Sequence, residues 1–176
     1  DKGSLLDIGA GTGDFLSVAK KDNWNVIGIE PNPKAKQIAI QKGVSFAENL
    51  SSLQDNTFDV ITMWHVLEHV PNLEEYILEL KRIVKPNGTI IIAVPNFKSF
   101  DAIYYKEFWA AFDTPRHLWH FSKTAIKKLF AKQDLKLVEI LPMKFDSYYV
   151  SLLSEKYKNG KMNYLKAVWI GWKSNR

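Results

Sequence analysis

The stretch LLDIGAGTGDF, residues 5–15, joins an apolar strand pattern to a helix start through three glycines. Gly9, Gly11 and Gly13 fall where the backbone must turn sharply and let a ligand approach. A dinucleotide fingerprint reads G-x-G-x-x-G, whereas this stretch reads G-x-G-x-G with Asp7 at the end of the strand. A pyrophosphate is anionic and binds to unpaired backbone amides, whereas the Asp7 carboxylate would favour a cationic ligand. The stretch therefore favours a nucleoside that carries an ammonium and a sulfonium over NAD.

A second acid strengthens this interpretation. Glu30 closes the apolar run NVIGI at 25–29, 17 residues after Gly13, which is about the separation at which an acid accepts both ribose hydroxyls. Pro31 next to it can cover the face of an adenine. A glycine-rich turn alone is also compatible with a purely structural role, but together with Asp7 and Glu30 it predicts a nucleoside site.

Short apolar runs alternate with helical patterns along the chain, which is typical of an α/β fold with a Rossmann-like, doubly wound, mostly parallel sheet. Strands are predicted at 4–8, 25–29, 44–47, 58–63, 89–94 and 135–141. Helices are predicted at 15–21, 33–43, 73–88, 122–133 and over most of the last 30 residues. The aromatic-rich stretch at about 97–121 is predicted to be a lid or pocket wall.

Composition limits the classes of protein to consider. The 176 residues suffice for one domain with its own core, and 46% of them are hydrophobic. The chain has no cysteine and no apolar run of membrane-spanning length, so a soluble cytoplasmic protein is expected. The net charge of +5 lies in residues 151–176, which hold six basic side chains and only Glu155 as an acid. The balanced remainder gives no electrostatic case for a nucleic-acid partner, and the basic tail gives a weak one.

Four segments in this order resemble the class I S-adenosylmethionine-dependent methyltransferases: LLDIGAGTGDFL, VIGIEPNP, NTFDVITMWHVLEHV and LKRIVKPNGTIIIAVPN. The resemblance covers residues 4 to about 141 and is closest to the small-molecule methyltransferases of ubiquinone biosynthesis. It implies a methyltransferase domain at 1–150 with an insertion at about 97–121, followed by a basic amphipathic helical segment of the same domain at 151–176.

The same resemblance implies a sheet ordered 3-2-1-4-5-7-6 with an antiparallel seventh strand, and helices before the first strand that cover the cofactor. The chain begins three residues before its first predicted strand and shows no strand pattern after Trp172. We therefore expect both the seventh strand and the N-terminal helices to be missing from this chain.

Carried over residue by residue, the family pattern implies a site for S-adenosylmethionine at the carboxyl ends of the strands. The three glycines would wrap the methionyl part with Asp7 beside it, and Glu30 would take the ribose. Relatives often carry an aspartate where this chain has Phe46. The implied cofactor-binding residues are Asp7, Gly9, Gly11, Gly13, Glu30, Pro31, Ala47, Glu48, Trp64 and His65.

The four histidines fall in two clusters, WHVLEHV at 64–70 and PRHLWHFS at 115–122. The spacing in the first cluster places His65, Glu68 and His69 on roughly one face of a helical turn. An oxygen nucleophile must lose its proton before methyl transfer, so His65, His69 and His117 are candidate bases. Small-RNA 2′-O-methyltransferases and ubiquinone O-methyltransferases carry a similar acid–histidine pattern, which in the former binds a divalent metal. By that resemblance His65, Glu68, His69 and His117 would hold zinc, iron or manganese. A purely structural role is the third interpretation.

These patterns predict a methyltransferase that acts on a small molecule. The acceptor is expected to be aromatic or prenylated if Phe97–Phe112 line its pocket. Oxygen is favoured over nitrogen and carbon as the methylated atom. The alternatives are a nucleic-acid methyltransferase and a module that binds the cofactor without catalysis. In the tail, Tyr164, Trp169 and Trp172 among lysines suit a helix at a membrane surface, although packing of the tryptophans on the domain or on a partner subunit is the more frequent outcome.

Overall fold

Five parallel strands form one sheet: β1 (Ser4–Ile8), β2 (Asn25–Ile29), β3 (Ser45–Phe46), β4 (Phe58–Trp64) and β5 (Val84–Ala93). Their order is β3-β2-β1-β4-β5, and every neighbouring pair is parallel. The computed structural model describes residues 2–176, which fall into two units, one ending at Ala93 and one spanning Val94–Arg176. The predicted fold class and the order of the first five strands are confirmed.

Three helices connect these strands: α1 (Asp14–Lys21), α2 (Pro33–Gln41) and α3 (Leu73–Ile83). The start of α2 is fixed by Asn32, whose side chain accepts hydrogen bonds from the amides of Lys34 and Ala35, as is typical of a helix cap. α3 is amphipathic: its apolar residues recur every three or four positions and form one buried stripe. That stripe consists of Leu73, Ile77, Leu80 and Ile83.

The helix predicted at 73–88 ends five residues early, at Ile83. Val84 already pairs with Phe58, and the pairing resumes at Thr89 with Val60 after an irregularity in the ladder. Gly88 makes this bulge possible because a Cβ on it would lie 2.9 Å from the carbonyl oxygen of Phe58. The strand therefore begins before Pro86 and Gly88, and both residues lie in β5.

The predicted strand at 135–141 is wrong. The segment has no regular structure, and Val138 and Leu141 are 89% and 72% exposed. Alternating apolar residues form a strand only when a neighbour completes the hydrogen-bond ladder. No described strand pairs with this segment, and β5 is an edge of the described sheet.

The second unit is helical, with α4 (Phe100–Tyr105), α5 (Lys123–Ala131), α6 (Lys144–Asn159) and α7 (Tyr164–Ser174). The predicted helix after Ser122 and the helical C-terminal region are confirmed, and the predicted division at residue 150 falls inside α6. A cluster of Ala102, Tyr105, Trp109 and Ile170 forms the core of this unit. Within residues 2–176, no helix has the length and apolar character to cross a membrane.

Candidate cofactor and catalytic site

The predicted cofactor residues of the first unit follow the carboxyl ends of four adjacent strands. Because the strands are parallel, these ends lie along one edge of the sheet, where ligands bind in open α/β sheets. The glycine loop follows β1, Glu30 and Pro31 follow β2, Ala47 and Glu48 follow β3, and His65 follows β4 directly after Trp64, the last residue of that strand.

The glycine loop lies against the end of β2. The amides of Gly9 and Ala10 donate to the carbonyl oxygen of Ile29 at 2.8 and 3.1 Å, and the amide of Gly11 donates to Glu30 Oε2 at 2.8 Å. All three loop glycines have positive φ angles of 75°, 53° and 72°. A Cβ on Gly9 or Gly13 would strike Val66 or Ala39, whereas a Cβ on Gly11 would meet nothing within 4 Å. Gly11 therefore faces the open space that a ligand needs.

Glu30 is held by two backbone amides. Its Oε2 accepts from Gly11 and its Oε1 accepts from Asn32 at 2.7 Å. A carboxylate has about four acceptor positions, so each oxygen keeps a second lone pair. These remaining lone pairs form a fixed pair of acceptors, which matches the two adjacent hydroxyls of a ribose.

Asp7 lies in β1 and is only 2% exposed. Burial raises the pKa of its carboxyl to about 6, the hydrogen bond from Thr62 opposes this shift, and the charge of Glu30 adds to it. The Thr62 hydroxyl donates to Asp7 Oδ1 at 2.6 Å. A cationic group of a bound ligand near this carboxyl would favour its ionised form.

Asp7→Asn is expected to raise the free energy of unfolding at pH 7 by up to about 3 kcal/mol, equivalent to a pKa about two units above normal. In the folded state the carboxyl stays protonated up to about pH 6, whereas the ordinary value is 3.8. Its contribution to stability is therefore complete below pH 3.8 and is lost as the pH rises to about 6. Urea denaturation of the variant and the wild type from pH 4 to 7 measures how the difference in their free energies of unfolding changes with pH. A gain that is independent of pH would contradict the prediction.

Gly13→Ala is expected to destabilise the fold by about 2–4 kcal/mol, because it adds left-handed strain to a steric clash. The new Cβ would lie 2.6 Å from Ala39 Cβ and 3.1 Å from Ala39 Cα. Gly11→Ala is the matched control, with a similar φ but open space, and only about 1–2 kcal/mol of strain. Thermal denaturation of both variants measures the difference, and equal destabilisation would argue against the clash.

His65 adopts a left-handed backbone, with φ of 56°, so it precedes the turn at Leu67–His69 and is not on one helical face with Glu68 and His69 as predicted. Its amide donates to the carbonyl oxygen of Ala93 at 3.0 Å. Its Nδ1 lies 3.4 Å from Oε1 of Glu68, whose side chain is 1% exposed while that of His65 is 42% exposed. A buried carboxylate thus orients a half-exposed imidazole on a strained backbone, an arrangement frequent at functional sites.

The other predicted histidines belong to different segments. His69 ends the 3₁₀ turn Leu67–His69 next to Glu68. His117 belongs to the second unit, where its Nδ1 contacts the carbonyl oxygen of Ala111 at 2.9 Å and its Nε2 lies 3.8 Å from Asp113. The contact with a carbonyl makes Nδ1 the protonated nitrogen of neutral His117. The catalytic and metal-binding roles of His69 and His117 stay predictions.

The sequence did not reveal two residues that support the loop. Lys42 Nζ donates to the carbonyl oxygen of Thr12 at 2.8 Å and to Asp14 Oδ1 at 2.7 Å. Thr62 holds Asp7, as described above. Both supporting residues are far from their partners in sequence, and only the parallel pairing of β1 with its neighbours brings them close.

The surroundings of the predicted adenine and sulfonium residues are apolar. The ring of Phe46 occupies the space that a Cβ on Gly28 would fill, at 2.6 Å, and Ala47 donates its amide to Gly28 at 3.0 Å. Trp64 packs edge-on against Phe15 of α1, with ring centroids 5.6 Å apart. Its buried Nε1 has no hydrogen-bond partner among residues 2–176.

Curated relatives match only part of this chain. A ubiquinone biosynthesis O-methyltransferase from Colwellia psychrerythraea is 35% identical over 102 residues, covering 52% of this chain and 42% of the relative. A demethylmenaquinone methyltransferase from Shouchella clausii is 30% identical over 122 residues, covering 58% and 52%. The chain thus spans about half the length of the curated relatives it matches.

Solved structures share the fold. A methyltransferase from Thermotoga maritima, described as a possible histamine N-methyltransferase, superposes with a TM-score of 0.62 at 27% identity and covers 75% of this chain and 63% of its own. A phosphoethanolamine N-methyltransferase from Haemonchus contortus, solved with S-adenosylmethionine, has a TM-score of 0.65 at 17% identity, covering 98% and 44%. The sequence matches the family described as "Methyltransferase domain" over residues 1–140. The chain belongs to this methyltransferase domain family.

Proposed function

We propose that the protein transfers a methyl group from S-adenosylmethionine to an oxygen of a quinone-type small molecule. One observation carries the proposal: Glu30, the open glycine loop and the His65–Glu68 pair all follow strands at one edge of the sheet. The relatives named for ubiquinone and menaquinone synthesis support the class of acceptor.

S-Adenosylmethionine, when bound, supplies an activated methyl on a sulfonium that is a good leaving group. The residues of this chain fit it: Glu30 presents two acceptors to the ribose hydroxyls, Gly11 leaves space for the ligand, and ionised Asp7 would neutralise its positive charge. The task of the protein is to align the reactants and exclude water.

His65 would take the proton of the acceptor hydroxyl as the oxygen bonds to the methyl carbon and the bond from that carbon to sulfur breaks. Because Nδ1 faces Glu68, Nε2 is the nitrogen that we assign to the proton transfer. Glu68 would hold the ring in place and stabilise the imidazolium that forms, as a carboxylate does in other histidine dyads.

A metal remains the second hypothesis for activation of the hydroxyl. Within the first unit, Glu68, His65 and His69 offer one carboxylate and two histidine nitrogens, a donor set that suits zinc, iron or manganese more than magnesium. A bound metal would acidify the acceptor hydroxyl.

The test begins with a titration of S-adenosylhomocysteine, followed by a methyl-transfer assay on catechols, quinols and a structured RNA. Methylation of a catechol or quinol that persists in chelator supports the histidine-base mechanism. Loss of activity in chelator, restored by zinc, iron or manganese, supports the metal. Methylation of RNA alone would support the nucleic-acid alternative, and binding without transfer to any acceptor would overturn the proposed enzyme.

A further inference from the structure

Helix α7 presents an apolar face to solvent. Leu165, Val168, Trp169 and Trp172 recur at a spacing of three and four residues and are 88%, 58%, 48% and 41% exposed. These four residues, with Lys173 and Arg176 at the end of the helix, form what we call the α7 outer face. Exposure of two tryptophans and two aliphatic side chains on one helix stripe is unusual for a surface that contacts only water.

The opposite side of the helix fixes this orientation. Ala167, Ile170 and Gly171 are buried, and a Cβ on Gly171 would lie 2.6 Å from the ring and 2.9 Å from the Cα of Tyr148 in α6. The backbones of α6 and α7 therefore approach closely, and the helix cannot turn its tryptophans inward. The tryptophans are partly covered by their own unit: Trp169 packs edge-on against Phe100 of α4, with ring centroids 6.4 Å apart, and the rest of its surface stays exposed.

Cationic side chains lie over the aromatic rings of this face. Lys173 Nζ is 4.4 Å from the ring centroid of Trp169, and Arg176 is 3.7 Å from that of Trp172. Glu155, the one acid of residues 151–176, is fully buried, with its Oε1 3.4 Å from Lys166 Nζ. Glu155 is thus inside the unit, and the α7 outer face presents positive charge beside aromatic rings.

We propose that the α7 outer face binds the surface of an anionic phospholipid bilayer, with the helix lying in the plane of the headgroups. Aliphatic and tryptophan side chains would enter the interface, and Lys173 and Arg176 would meet lipid phosphates. This role goes beyond the proposed methyl transfer and does not depend on the acceptor.

Charge and shape favour this occupant over two others. A second copy of the chain docked face to face would bring like charges together. A nucleic acid would match the lysines, but its phosphates offer nothing to Leu165 or Val168, which are the most exposed side chains of the face. A bilayer accepts both the charges and the aliphatic groups.

Flotation of the full chain with vesicles tests the apolar part of the proposal. Binding is expected to vesicles of phosphatidylcholine mixed with phosphatidylglycerol, and to be much weaker with phosphatidylcholine alone. Leu165→Asn should weaken binding, whereas Val138→Asn, which changes an equally exposed residue outside the face, should not. Equal loss in both variants, or no flotation of the wild-type chain, would overturn the proposal.

The charged part has its own variant. Changing both Lys173 and Arg176 to Gln should lower the partition coefficient about 30-fold, at about 1 kcal/mol for each charge near an anionic surface. Lys127→Gln, in an exposed position of α5, is the control and should change it little. Blue-shifted tryptophan fluorescence with anionic vesicles would support insertion. Without vesicle binding, concentration-dependent dimerisation would identify a second copy of the chain as the partner of the face, and retention of RNA would identify a nucleic acid.

Discussion

His65→Asn is expected to lower kcat for methyl transfer by about 10²- to 10⁴-fold, the usual contribution of general acid–base catalysis. Asparagine is the substitution of choice because it tolerates the left-handed backbone that His65 adopts, so the turn should survive. Affinity for S-adenosylhomocysteine should change little. The acidic limb of the kcat–pH profile, which reports protonation of the base, should disappear together with the rate.

His120→Asn is the matched control, because His120 contacts a carbonyl oxygen in its own loop at 3.0 Å and has no proposed role. Glu68→Gln should lower kcat less than His65→Asn, because it keeps the size of a side chain that orients the ring. In a double-mutant cycle the two effects should not add, as expected for residues that act together. Near-normal turnover in His65→Asn, with a large loss in His69→Asn or His117→Asn, would transfer the role of base to those residues.

Glu30→Ala is expected to weaken binding of S-adenosylhomocysteine by about 100-fold. Hydrogen bonds to a charged group contribute about 1.5–3 kcal/mol each, so loss of two ribose contacts amounts to at least about 3 kcal/mol. The variant also removes the acceptor of the Gly11 amide and so loosens the glycine loop. Isothermal titration calorimetry measures the change directly.

Two further variants separate the causes of that loss. Glu30→Gln keeps the length of the side chain but turns one acceptor into a donor that faces a backbone amide, so intermediate affinity is expected. Asp22→Asn removes an exposed carboxylate paired with Lys2 at the end of α1, at the opposite edge of the sheet, and should leave affinity unchanged. Affinity within about threefold of wild type in Glu30→Ala, less than 1 kcal/mol, would remove Glu30 from the cofactor site.

The sequence predicted the turns of the glycine loop well because their signals are local. Glycines are required where φ is positive, and the structure gives positive φ at all three. Glu30 follows directly from the end of the second apolar run. The strand at 135–141 failed for the opposite reason, since alternation describes only one half of a strand pair. The early end of α3 depended on the pairing of Val84 with Phe58, which no local pattern records.

The histidines show the same limit at the site. Spacing of three and four residues predicted one helical face for WHVLEHV, but the hydrogen bond from the His65 amide to Ala93 holds that residue at the end of β4 in a left-handed conformation. The contact between His65 and buried Glu68 depends on this left-handed backbone conformation. The sequence could predict which residue types are present there but not their contact.

The sequence by itself determined the parallel α/β arrangement, the family and the residue types of the proposed nucleoside site, because periodicity, glycine positions and the order of motifs are properties of neighbouring residues. The tertiary structure decided which groups support that site and which faces stay exposed. Thr62 meets Asp7 and Lys42 meets Thr12 only because parallel strands and their helices bring distant residues together. Likewise, the close approach of α6 and α7 at Gly171 leaves two tryptophans partly exposed, since helix rotation is set by packing against a neighbour.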